Sequence, residues 1–187
     1  MKRSIILFLS VLFFCDIVAD AQHFSLKSNT VYLISTTPNI GVECAFAPRW
    51  TVELEGGYNP FILDREKNMK LKHWLVSPEF RYWFCNSFQG HFVGLNANFT
   101  QFNIGGLPLS ILNESRMQGW AAGAGVTYGY AYPIARRWNI ELTAGFGCWY
   151  TAYDEFESRK CGLFRQTVQK HSLGLTSLGV SFVYMIK

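Results

Sequence analysis

The chain has 187 residues, 49% of them hydrophobic, 17% aromatic and only 16% charged, with a formal net charge of +4. That length suits one domain, and so mild a charge argues against nucleic acid as a partner. After the N-terminus, no run approaches the roughly 18 apolar residues of a membrane-spanning helix; aromatic residues recur instead at alternate positions of many short segments.

The chain opens with basic Met1-Lys2-Arg3 and an apolar stretch, residues 5–15, broken only by Ser10. Ala19-Asp20-Ala21 follows as a small-x-small cleavage site. Residues 1–21 therefore read as a signal peptide, leaving 22–187 as the mature domain. Phe13 and Phe14 are too bulky before Cys15 for lipoprotein processing.

Eight alternating segments follow, at about 24–35, 39–47, 50–59, 72–84, 91–104, 118–132, 138–153 and 170–186. Each is about as long as the 9–11 residues that a tilted strand needs to cross a bilayer, or longer. Side-chain parity is kept from one to the next. Trp74, Val76, Phe80, Tyr82 and Phe84 oppose His73, Ser77, Glu79 and Arg81; Trp120 to Tyr132 oppose Gly119, Gly123, Gly125, Thr127 and Gly129. In the last segment Thr176, Leu178, Val180, Phe182 and Tyr184 oppose Ser177, Gly179 and Ser181. Short connections (47–49, 85–90, 133–137) alternate with long polar ones (60–71, 105–116, 154–169), the exception being a short link at 36–38. The expected fold is all-β, an eight-stranded antiparallel up-and-down transmembrane β-barrel in an outer membrane, with short turns on the periplasmic side.

An internal echo supports the register. Ala47-Pro48-Arg49-Trp50-Thr51-Val52-Glu53-Leu54 is answered by Ala135-Arg136-Arg137-Trp138-Asn139-Ile140-Glu141-Leu142. Both place a tight basic turn, an outward Trp and an inward Glu at one point of a hairpin. At the other end, Ser177-x-Gly179-x-x-Phe182-x-Tyr184 resembles the C-terminal signal read by the outer-membrane barrel assembly machinery, which makes that machinery an expected partner.

Thr37-Pro38-Asn39-Ile40-Gly41-Val42-Glu43, Gly57-Tyr58-Asn59-Pro60, Lys72-His73-Trp74-Leu75-Val76, Pro78-Glu79 and Arg81-Tyr82-Trp83 form a further pattern. It continues through Gly90-His91-Phe92, Gln101-Phe102-Asn103 and Tyr184-Met185-Ile186-Lys187. Across nearly all of residues 22–187 the chain resembles a family of small outer-membrane β-barrel proteins of Bacteroidetes, catalogued as a domain of unknown function. The resemblance implies an OmpA-like eight-stranded barrel, in some cases encoded near fimbrial or OmpA-type genes. It carries no catalytic residues.

The chemistry lies in the inward charges Glu43, Glu53, Glu55, Glu79, Arg81 and Glu141, with Lys27 beside them. An eight-stranded barrel is only wide enough for its own side chains, and buried carboxylates need partners. A charge network that plugs the barrel is therefore expected, with Arg81 as the main counter-charge; the alternatives are a conduit or a catalytic carboxylate cluster. Barrel enzymes need Ser, His and an acid within reach on one face. His171 and Ser172 face opposite ways, and His73 and Ser77 stand roughly 13 Å apart along their strand. The histidines (His23, His73, His91, His171) are scattered, so no metal site is expected, nor any cofactor. Cys44, Cys85, Cys148 and Cys161 suggest no disulfide pair. Asp154, Glu155, Glu157, Arg159, Lys160 and Arg165 form a mixed-charge loop surface.

The expected role is structural or interactive and non-enzymatic, with no open pore: anchoring, or presenting loops to a surface or periplasmic protein, with appendage biogenesis as one setting and outer-membrane lipid around the wall. The alternative is a lipid A hydrolase or acyltransferase of the barrel type. A soluble lipocalin-like barrel conflicts with the aromatic parity.

Overall fold

Strict alternation gives each strand one polar and one apolar side, and the sheet built from such strands can satisfy its edges by closing on itself. In a computed structural model of the protein, the described residues are 24–64, 69–105, 115–157 and 163–186. The expected signal peptide, His23, Arg159, Lys160 and Cys161 lie outside them.

The strands are β1 (Phe24–Asn29), β2 (Asn39–Ala47), β3 (Trp50–Asn59), β4 (Ile62–Asp64), β5 (Met69–Trp83), β6 (Gly90–Gly105), β7 (Ser115–Ala135), β8 (Trp138–Glu157) and β9 (Phe164–Ile186); a short helix, α1 (Thr30–Ile34), follows β1. Every pairing is antiparallel. β3 pairs with β5 and β1 with β9, so eight strands form a closed ring and β4 prolongs the wall begun by β3. Pro60 interrupts that wall because proline cannot donate to the ladder, and the Asn59 side chain accepts the Phe61 N–H across the break, at 3.0 Å.

Three expectations are corrected. The first segment, expected as strand over 24–35, leaves the ladder at Asn29. There Asn39 clamps the Asn29 backbone, accepting from its N–H at 2.7 Å and donating to its carbonyl at 2.9 Å. The Asn29 side chain then accepts from Val31 N–H at 3.0 Å as the N-cap of α1, a role short polar side chains favour. The link between the first two strands is thus residues 30–38, helix included, rather than the short 36–38.

The long connections, second, contain strand: β4 and the start of β5 fall within 60–71, and β8 and β9 take in most of 154–169. The β8–β9 ladder runs up to Phe156 opposite Phe164, and β7–β8 to Ser115 opposite Glu157. The segment 154–169 hid its strand character behind charge. Its polar residues pair across the ladder: Thr167 Oγ1 donates to Asp154 at 2.6 Å, and Gln166 to Glu155 at 2.9 Å.

Third, Thr176 was expected to share a face with Leu178. A β-bulge opposite Gly145 and Phe146 inserts one residue, which returns the upstream part of β9 to the opposite parity. Thr176 is buried inside, whereas Leu173 and Leu175 are exposed outside.

Outward aromatics gather into two belts. At the end away from the termini, Trp74, Phe99, Trp120, Tyr150 and His171 touch in succession across β5 to β9, with centroids 4.9–6.0 Å apart. At the other end Trp50 packs on Phe80 and Tyr82, and Trp138 on Tyr184. The echo extends to these neighbours. Trp50–Tyr82 and Trp138–Tyr184 have centroids 4.8 and 5.0 Å apart at 56° and 57°. Arg49 and Arg137 carbonyls accept from Trp83 and Met185 N–H at 2.8 and 2.9 Å. One hairpin solution is used twice around the ring.

Candidate functional site

Inward parity places Glu43 on β2, Glu53 on β3, Glu79 and Arg81 on β5, Glu141 on β8 and Lys27 on β1, all buried. Glu43, Glu53 and Glu79 stand directly opposite one another on neighbouring strands, an arrangement that repels unless a cation enters it. Arg81 does so. Its Nε donates to Glu79 at 2.8 Å, Nη1 reaches Glu43 at 3.1 Å and Glu141 at 3.2 Å, and Nη2 pairs with Glu53. The planar fork can hold several carboxylates at once, which a lysine in its place could not do. Lys27 Nζ adds bonds to Glu53 at 2.5 Å and Glu141 at 2.8 Å. Because Arg81 and Glu141 lie three strands apart around the ring, their contact spans the interior.

Glycines make the room. A Cβ at Gly41 would stand 2.8 Å from Lys27 Cγ, and one at Gly129 would collide with the Phe92 ring. Hydroxyls complete the cluster: Thr51 donates to Glu43 at 2.5 Å and Thr127 to Glu79 at 3.2 Å. On the other side of Thr127, Asn96 donates to Thr127 and Thr176 at 2.6 and 3.1 Å.

The floor on the turn side is aromatic. Trp83, Phe92 and Ala131 form a buried cluster, with Phe88 6.2 Å from Trp83. Phe88 sits in the turn after β5 at φ +65°, a backbone state that bulky residues avoid. It is held there by Asn139, whose amide donates to the Phe88 carbonyl at 2.6 Å. Floor and charges are joined twice: the Arg81 guanidinium lies 4.5 Å over the Phe92 ring, and Trp83 Nε1 donates to Thr51 Oγ1 at 2.9 Å.

A protein-family model described as "Protein of unknown function (DUF3575)" matches residues 5–186. The chain belongs to this family. No curated protein and no solved structure matches it.

In this DUF3575 member the structure brings five of the expected inward residues, Glu43, Glu53, Glu79, Arg81 and Glu141, into one contact set together with Lys27. Glu55 shares their parity but stands apart, with Oε1 buried and no hydrogen-bond partner among the described residues. At the C-terminal signal, Phe182 and Tyr184 face outward, while Gly179 faces in, against Asn29 and Thr143. Ser177 contacts the space beside Gly145.

The histidines take other partners. His73 Nε2 lies 3.2 Å from Thr37 Oγ1, and Ser77 donates instead to Asn98 at 2.7 Å. His91 meets the Tyr128 hydroxyl at 2.7 Å, and His171 packs at a tilt against Tyr150. Among the described residues no group of three or more His, Cys, Asp or Glu is placed to hold a metal. The described cysteines Cys44, Cys85 and Cys148 form no disulfide. Sequence reasoning missed the Trp83–Phe88–Phe92 floor. Trp83 was accessible from parity, as it alternates with outward Tyr82 and Phe84; Phe88 was not, because a turn has no parity.

Proposed function

We propose that the protein is an outer-membrane β-barrel of OmpA-like type, a closed, non-enzymatic scaffold that anchors itself in the bilayer and presents its tall end to partners outside. One observation carries the reading: the ring is apolar outside and ionic inside. Leu54, Leu95, Val126, Leu142, Phe146, Leu175 and Leu178 are each at least 50% exposed on the outer wall, a surface that water would penalise and lipid would not. Trp74 and Tyr82, one in each aromatic belt, are eight residues apart on β5. That is about 20–27 Å depending on tilt, close to the roughly 25 Å apolar band of such barrels.

The interior contacts favour a plug over a conduit, because side chains from β1, β2, β3, β5 and β8 meet in one network. β7, β8 and β9, of 21, 20 and 23 residues, are about twice as long as a bilayer crossing requires. Residues 115–119, 151–157 and 164–170 extend the ladder beyond the upper belt, where a surface protein could dock.

The mature protein is expected to begin at Gln22, to sediment with outer membranes and to migrate as a compact species in SDS until boiled, since a closed ring has no free edge from which to unzip. Recovery from the soluble periplasm without a heat-dependent gel shift would rule the reading out. Changing Phe182 and Tyr184 together to Ser removes the aromatics of the assembly signal and the Trp138 partner in the lower belt. Immunoblots of fractionated cells should then show loss of assembled protein and periplasmic turnover. Undiminished folded protein in the membrane would refute the signal.

A further inference from the structure

Just beyond the upper aromatic belt, the outer wall changes character. On β5, two and four residues above Trp74, stand Lys72 and Lys70. Lys70, Gly105 and Arg116 form one cross-strand row, and Lys72, Asn103 and Gln118 the row below it. Gly105 has no side chain, and a Cβ there would stand 2.9 Å from both Cβ and Cγ of Arg116. The Arg116 stem packs against Gly105, while its guanidinium rests 5.2 Å over the Phe156 ring of β8. Below this basic row is a concavity of about 200 Å³, lined by Tyr58, Lys72, Trp74, Gln101, Asn103 and Gln118.

Its polar groups are oriented but incomplete. Gln101 Oε1 accepts from Trp74 Nε1 at 3.0 Å. Gln118 Oε1 accepts from Arg116 at 2.9 Å. Among the described residues, two buried atoms have no partner: Asn103 Oδ1, an acceptor, and Arg116 Nε, a donor. Leaving such atoms unmet costs free energy, so a ligand that supplies both a hydroxyl and an anionic oxygen gains by satisfying them.

We infer that this belt is a binding site for the phosphorylated sugar headgroup of an outer-leaflet glycolipid of the lipid A class. Sugar hydroxyls meet the amides of Asn103, Gln101 and Gln118, a pyranose face rests on Tyr58 or Trp74, and the phosphate meets Lys72, Lys70 and Arg116. The position fits that source. The belt sits outward, at the height where the apolar band ends, and its acyl chains would continue down the wall beside Val76 and Phe99. The inference rests on the membrane reading proposed above, for without a bilayer the belt has no headgroup beside it.

The test uses the full mature protein refolded in detergent micelles, with insertion checked by the heat-dependent gel shift. Native mass spectrometry then titrates bis-phosphorylated lipid A, dephosphorylated lipid A and phosphatidylglycerol. Bis-phosphorylated lipid A should bind at least tenfold more tightly than either of the others. The pair Lys72→Gln with Arg116→Gln should weaken it at least tenfold, and Asn103→Leu should erase its preference over phosphatidylglycerol, all with the gel shift intact. Equal binding of phosphatidylglycerol, or unchanged binding by these variants, in protein that does show the shift would overturn the inference alone. Protein that never shows the shift would overturn it together with the membrane reading.

Discussion

Arg81→Met is expected to be among the most damaging single changes in the protein. Arg81 is buried and contacts four carboxylates, so its removal strands them with only Lys27, which reaches two. Breaking a buried ion pair on one side costs about 3–5 kcal/mol, mostly through the charge left behind. Combining Arg81→Met with Glu79→Gln or Glu53→Gln should recover part of that loss, since each removes one stranded carboxylate. Lys27→Met should cost less than Arg81→Met, because the guanidinium still holds both of its carboxylates. Urea unfolding in detergent measures all of these. The wild type and Arg81→Met should both be silent in planar-bilayer recording, because the aromatic floor remains closed in each. A stable Arg81→Met protein, or single-channel current from the wild type, would return the inward carboxylates to the role of a conduit.

The positions of the eight ring strands were legible because alternation is a direct consequence of a sheet with two unlike faces. Their lower ends were read to the residue at Ala47–Trp50, and to within three residues at Ala135–Trp138, where the echoed turn residues mark the hairpins. The upper ends were not. Alternation between apolar and polar fades once both faces of a strand are wet, so residues such as Asp154, Thr167 and Gln166 look like loop while their backbone continues the ladder. β1 failed for a related reason: Asn29 and Asn39 form a side-chain clamp ten residues apart, and no periodicity encodes a hydrogen bond between two asparagines. The Thr176 bulge was hidden as well, because Leu173, Leu175 and Leu178 give a plausible pattern in either register.

The charge cluster was half legible. Parity put Glu43, Glu53, Glu79, Arg81 and Glu141 inside, and scarcity made Arg81 the natural counter-charge. That Lys27 binds two of the same glutamates depended on how far β1 is staggered against β8, which only the closed ring determines. Glu55, identical in parity, misses the cluster because it lies one inward position above Glu53, beyond the Arg81 and Lys27 contacts.

Trp83 is the residue through which floor and cluster depend on each other, and its replacement should show this in two steps. Trp83→Ala removes a fully buried indole from the contact with Phe92 at 4.6 Å and Phe88 at 6.2 Å. Large-to-small changes of this kind cost about 3–5 kcal/mol through lost burial and the cavity left behind. Trp83→Phe keeps most of the ring volume but removes the Nε1 donor to Thr51, a loss of about 0.5–1.5 kcal/mol. Thr51 also donates to Glu43, so the two effects should not be independent. In a cycle of Trp83→Phe and Thr51→Val, the double change should cost less than the two single changes together, by at least about 0.5 kcal/mol. Urea unfolding of the four proteins in one detergent gives that number. Simple additivity would mean that the aromatic floor closes the ring on its own and that the Trp83–Thr51–Glu43 chain contributes nothing to the network above it.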